Sequence, residues 1–211
     1  MRRTVITAGL VIAVSFCNAQ YTGYSKLDKT EAFTKSFSAA TQSTLFIQAD
    51  FTQEKTISLL SEKIISKGKF WYKSGNNLRM EYMQPYSYLI IFHNDKIFIK
   101  DGQTENKFSA SSNKTFQQIN RILIDCVSGN ILKNPDFETR VFENVNDYLI
   151  ELKPVAKNLQ DLYKNINIVI DKKDDTANAI EMFETSGDKT IIRFQHKIIN
   201  AIIPDSLFYI P

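Results

Sequence analysis

Residues 68–102 read GKFWYKSGNNLRMEYMQPYSYLIIFHNDKIFIKDG, and within them Tyr88, Leu89, Ile90, Ile91 and Phe92 run apolar without a break. Ser74-Gly75-Asn76, Pro85 and Asn94-Asp95 supply turn chemistry between runs of branched and aromatic residues, so the stretch is a meander of strands. An antiparallel sheet ordinarily gives one face to water, and its strands then alternate. A strand that is apolar at every position must be covered on both faces, or must help to enclose something. Pro85 marks a strand end or an edge, because proline cannot donate to a central ladder.

The N-terminus has the form of a secretory signal. Arg2 and Arg3 precede an apolar run from Thr4 to Phe16, and Cys17-Asn18-Ala19 places small residues before a cut at Gln20. The run is short for a bilayer span of ~20 residues. We therefore expect a cleaved signal at 1–19 and one domain at 20–211. Phe16 sits before Cys17 where a lipid-modified cysteine wants a small neighbour, which disfavours that modification. Cleavage leaves Cys126 as the only thiol, expected to be a small buried hydrophobe without a disulfide. It also leaves 24 Lys+Arg against 23 Asp+Glu, a formal charge of +1, which offers nucleic acid no electrostatic footprint.

Periodicity places a helix at 26–44, on Leu27, Ala32, Phe33, Phe37 and Ala40, with Asp28 or Ser25 as N-cap. Ile47, Ala49 and Phe51 then alternate as a strand. Further strands are expected at 62–73, 77–83, 87–93 and 96–101. Phe116, Ile119, Ile122, Leu123 and Cys126 give a second helix at 111–128, closed by Gly129. Strands at 137–143, 147–153, 165–171, 178–185 and 189–199 complete the chain, with a helical turn or loop at 156–163. Strand follows strand with no regular βαβ alternation. This order gives an α+β, mainly β, antiparallel sheet with helices on one side.

Catalytic signatures are missing from the sequence. It has no GxSxG elbow, P-loop or GxGxxG, and its two histidines, His93 and His196, have no ligand-spaced partners. Lys173-Asp174-Asp175 lacks the alternating oxygens and the glycine of a calcium loop. We expect no enzyme, no metal and no cofactor. The apolar positions offer a different role. Phe70 and Tyr72 share a face, as do Leu78, Met80 and Tyr82, and Ile90 and Phe92 line the same side further along. On a curved sheet these residues make either an apolar trough lidded by the two helices or an ordinary packed core; periodicity leaves both open. Met80 and Met83 suit a ligand of irregular shape.

Four segments resemble the LolA-type outer-membrane lipoprotein carriers. Phe46 to Gln53 is similar to the family's F-x-A-x-F-T-Q opening, and Gly68 to Lys73 to its G-x-L/F-W strand. Met83-Gln84-Pro85 resembles its T/M-Q-P turn, and Ile203 to Phe208 its terminal hydrophobic-P-x-x-x-F pattern. The resemblance implies an incomplete, strongly curved antiparallel β-barrel whose helices form a lid over an apolar cavity. It implies a monomeric periplasmic carrier of acylated lipoproteins, loaded by an inner-membrane Lol-type ABC transporter and unloaded to an outer-membrane acceptor. Cavity residues are then Phe51, Phe70, Tyr72, Leu78, Met80, Tyr82, Ile90, Phe92, Phe116, Ile119, Ile122 and Leu123. Leu78 falls where family members engage the transporter, so Leu78→Glu or Met80→Glu is expected to abolish uptake with the fold intact. Where many members carry an arginine that latches the lid, this sequence has Ser74. The D-G turn expected after the apolar strand is His93-Asn94 here. Carriage of another apolar molecule, such as a glycolipid or pigment precursor, and a non-catalytic lipoprotein-sensing role are alternatives on the same fold.

Overall fold

The computed structural model describes residues 21–60, 62–94, 96–109 and 114–211, and the side chains of all of these except 114–120. The chain runs β1 (Ser25–Lys26), α1 (Glu31–Ser43), β2 (Phe46–Ile57), β3 (Glu62–Lys73), β4 (Asn77–Gln84), β5 (Tyr88–His93), β6 (Lys96–Asp101), β7 (Thr104–Ser109) and α2 (Lys114–Ser128). It continues through β8 (Phe137–Glu143), β9 (Asp147–Pro154), α3 (Lys157–Gln160), β10 (Tyr163–Asp171), β11 (Ala177–Glu184) and β12 (Lys189–Ile199). Short 3₁₀ turns lie at Asn130–Lys133 and Asp205–Phe208.

All the described strands join one antiparallel sheet in the order β1-β8-β9-β10-β11-β12-β2-β3-β4-β5-β6-β7. The two ends of that order do not pair, so the curled sheet is an unclosed barrel. Topology then places the helices. α1 leads from the β1 edge to the central strand β2, and α2 leads from the β7 edge across to β8 at the other side. Both crossings run over the hollow of the sheet.

Cross-strand rows line that hollow. Ile47, Tyr72, Leu78, Phe92, Ile97 and Phe108 are successive partners from β2 and β3 to β7. Val141, Ile150, Ile168, Ile180 and Ile192 form a second row from β8 to β12. Phe33 and Phe37 of α1 and Ile122, Leu123 and Val127 of α2 belong to the same buried cluster as both rows. The helices therefore sit inside the curl with their apolar stripes against it.

The continuous apolar run of β5 is covered twice. Phe92 faces the interior, while Ile91 lies in an outward row with Trp71, Arg79, Phe98 and Lys107. Ile91 and Phe98 are nonetheless buried. The C-terminal segment supplies the outer cover: Ile203 and Phe208 pack on Trp71. Arg79 lies over the Trp71 ring and donates from Nη1 to the Leu207 carbonyl at 3.2 Å. Lys73 to Asp205 and Lys107 to the Pro211 carbonyl fix the segment further along.

Three expectations change. α1 begins at Glu31, because Ser25 and Lys26 pair with Glu143 and Phe142 as β1. Neither Ser25 nor Asp28 caps it: Thr30 stands at the N-cap position and makes no side-chain cap bond. β7 was not expected at all. Its sequence, TENKFS, holds one apolar residue, Phe108, and an edge strand needs no apolar alternation to pair. Gly129 does end α2, in the left-handed region at φ 74°, and Pro85 does follow a strand end.

Candidate functional site

The curl brings the expected wall residues onto one surface. Phe51, Phe70, Tyr72, Leu78, Met80 and Phe92 from the sheet and Ile122 and Leu123 from α2 are all buried. Tyr82 and Ile90 are half-buried against the same cluster. The side chains of Phe116 and Ile119 lie outside the described residues.

The wall is built by local sequence choices. Phe51 can lie flat across β3 only because Gly68 is opposite it. A methyl at Gly68 would sit 2.1 Å from the Glu81 carbonyl oxygen and 2.8 Å from the Phe51 ring. Phe51 then meets Tyr82 edge-on, with ring centroids 4.8 Å apart, and Tyr82 meets Tyr88 at 5.7 Å. The Tyr82 hydroxyl donates to Gln53 Oε1 at 2.9 Å. Phe70 meets Phe194 of β12 at 5.0 Å. Burial pushes the Tyr72, Tyr82 and Tyr88 hydroxyls above the ordinary phenol range, so the wall stays uncharged.

In this conformation the described helix residues fill the middle of the hollow, while a cavity of about 580 Å³ stays open at its β6–β7 edge beside Ile97 and Phe108. Between Ile47, Phe70, Val127, Ala177 and Phe194 only a crevice of about 10 Å³ is left, which is close to the least that a single water occupies. The helices are pinned at one end. A side chain at Gly129 would run into Thr41 Oγ1 at 2.1 Å, so α1 and the end of α2 touch there through glycine. Asn134 Nδ2 donates to Asp125 Oδ2 at 2.8 Å, and burial raises the Asp125 carboxyl above its usual range.

Two residues take positions other than those expected. Leu78 is 0 % exposed. It presents no surface to a partner while the helices are seated, because its row neighbours Tyr72 and Phe92 and the lid enclose it. Ser74 makes its bonds in the β3–β4 turn: its amide donates to the Leu45 carbonyl at 2.8 Å, and its own carbonyl accepts from Asn77 Nδ2 at 3.3 Å. Neither bond reaches α2, so among the described residues Ser74 makes no contact that latches the lid.

Sequence reasoning missed Lys197, Phe194 and Gln53. Lys197 turns inward because two residues, His196 and Lys197, stand in a bulge between the Gln195–Asp50 and Ile198–Gln48 pairs. Its ammonium is held by Thr176 Oγ1 and Asn178 Oδ1, each at 2.7 Å, and by Asp174 Oδ2 at 3.2 Å. The positive φ of His196 that accompanies the bulge leaves no mark in the sequence pattern.

A family model described as "Outer membrane lipoprotein carrier protein LolA" matches residues 42–211. The chain belongs to the LolA family. No curated protein matches the sequence. The following solved structures share the fold at low sequence identity. An uncharacterized conserved protein from Thermus thermophilus is 9% identical, with 87% of this chain and 95% of that one covered and a TM-score of 0.50. A LolA-superfamily protein from Nitrosomonas europaea is 11% identical over 83% of this chain and 97% of its own, with a TM-score of 0.47. Lipoprotein LppX from Mycobacterium tuberculosis is 12% identical over 82% and 96%, with a TM-score of 0.46.

The LolA motifs acquire physical roles here. The glycine of the G-x-F-W strand makes room for the phenylalanine of F-T-Q, the glutamine of F-T-Q receives the Tyr82 hydroxyl, and the strand's tryptophan seats the terminal phenylalanine. Among the described residues no helix is long and apolar enough to cross a membrane, and no three His, Cys, Asp or Glu side chains gather as a metal site requires. Cys126 is free and buried, and burial raises its thiol well above the ordinary range.

Proposed function

We propose that this protein is a periplasmic carrier that holds the acyl chains of lipoproteins against the concave face of its sheet and moves them from the inner to the outer membrane. Residues 1–19 act as the cleaved signal, an inner-membrane Lol-type ABC transporter loads the cargo, and no covalent chemistry is performed. The observation that carries this reading is the way the hollow is filled. Helices held through Gly129 and Thr41 at one end occupy an apolar trough whose sheet wall is continuous beneath them.

Acyl chains and helix faces are then alternative occupants of one surface. Burying a chain contributes roughly 0.8 kcal/mol per methylene. Displacing Phe33, Phe37, Ile122 and Leu123 from the wall costs a similar order, at roughly 1.5–3 kcal/mol per large side chain. Lid displacement therefore offsets part of the gain, which keeps the cargo exchangeable. A trough standing open would hold a long chain too tightly to release it.

The test is a titration with a fluorescent peptide bearing a diacylglyceryl cysteine. Saturable one-to-one binding, displaced by unlabelled acylated peptide but not by the same peptide without its acyl chains, is expected. Equal displacement by both peptides, or no saturable binding, would overturn the proposal.

A further inference from the structure

At one end of the sheet the β2–β3 hairpin turns its apolar side chains to solvent. Leu59 is 91 % exposed, Leu60, Ile64 and Ile65 are also exposed, and Met83 and Tyr86 join them from the adjacent end of β4. Large apolar side chains scattered singly over a surface need no explanation, but six gathered at one end do.

The hairpin is held firmly. The Ser58 amide donates to Asp188 Oδ1 at 3.0 Å, and its hydroxyl lies 3.1 Å from the same oxygen and 3.2 Å from the Ser186 carbonyl. The Leu60 amide closes the turn on the Ile57 carbonyl at 3.2 Å. On one side β12 supports β2 as far as the Thr56–Lys189 pair. On the other, β4 begins to pair with β3 only at Gln84 and Lys67, so Glu62–Ser66 projects past the end of β4.

Ile64 and Ile65 are consecutive in a strand and therefore point to opposite faces, yet both are exposed. A protein partner seated on a sheet covers one face. A hairpin apolar on both faces and at its tip is matched by a medium that surrounds it. One charge agrees with this: of the four lysines in residues 54–69, Lys55, Lys63 and Lys69 pair with Glu184, Glu54 and Asp50, while Lys67 has no ion pair among the described residues. Lysine stems lie along apolar surface while their heads reach phosphates, and tyrosine suits the level of lipid headgroups.

We infer that the β2–β3 tip is a membrane contact, in which Leu59 and Leu60 enter the acyl layer of an anionic phospholipid surface while Lys67 meets lipid phosphates. This inference does not depend on what the concave face carries.

Flotation of the chain lacking residues 1–19 with vesicles of phosphatidylethanolamine and phosphatidylglycerol tests it. The wild type is expected to float with the vesicles, and Leu59→Asp with Leu60→Asp is expected to lower partition by about tenfold or more. Replacing the anionic lipid with phosphatidylcholine should lower wild-type binding several-fold. The doubly substituted protein should keep its melting temperature, since both side chains are exposed, and its affinity for acylated peptide. Equal flotation of variant and wild type, or a wild type that never floats, would contradict the inference. So would a wild-type dimer that the double substitution dissolves, which would assign the tip to a second copy of the chain.

Discussion

Leu78→Glu is expected to abolish cooperative folding. Leu78 is 0 % exposed and lies mid-row between Tyr72 and Phe92, beneath the helices. The substitution loses roughly 1.5–3 kcal/mol of side-chain burial. It also buries a carboxylate with no partner, which costs several kcal/mol more. Against a typical domain stability of about 5–15 kcal/mol, little or nothing is left. The sequence alone suggested that this variant would lose uptake and keep its fold; burial reverses the second half, and the same holds for Met80→Glu. Circular dichroism should show a lost or broadened thermal transition. The buried acid's pKa is raised above its unfolded value of about 4.3, so the deficit should be smallest near pH 4 and grow as the pH rises through the folded pKa. A melt within a few degrees of wild type at pH 8 would mean that the Leu78 site is open to water.

Gly68→Ala is expected to destabilise by about 3 kcal/mol, at the upper end of the cost of overpacking. The added methyl meets a backbone oxygen, the Glu81 carbonyl, at 2.1 Å as well as the Phe51 ring at 2.8 Å. A ring can rotate away, but a paired strand cannot shift without breaking the β3–β4 ladder. For a chain of this length such a loss lowers the melting temperature by roughly 6–12 °C. Adding Phe51→Leu should therefore restore little. Recovery of wild-type stability in the double variant would place the conflict with the ring alone.

Much of the sheet was legible because its strands are long, apolar and punctuated by turn residues. β3, β6, β8 and β12 fall where periodicity puts them. β7 was illegible for a physical reason: an edge strand with one apolar residue carries no pattern. The wall residues could be read from alternation, since Tyr72, Leu78 and Phe92 share a face in any twisted sheet that pairs them. Whether they enclose a trough or pack as core is set by where α1 and α2 lie, and their placement depends on contacts between Gly129 and Thr41 that are 88 residues apart in sequence. The inward turn of Lys197 depends on a two-residue bulge, which alternation misreads as a slip of face. The outer cover of β5 is a tail whose apolar residues, Ile203 and Phe208, are too sparse for periodicity to place.

If helices and cargo compete for one surface, weakening the helices must strengthen cargo binding. Leu123→Ala removes a buried lid contact worth about 2–3 kcal/mol while leaving the sheet wall intact. A lid that opens more readily raises the binding-competent fraction, and apparent affinity rises with it. Titrating the acylated peptide into wild type and Leu123→Ala, with denaturation midpoints measured on the same samples, tests this most directly. The variant should melt lower and bind about tenfold or more tightly. A variant that melts lower and binds the peptide equally or more weakly would contradict competition between lid and cargo.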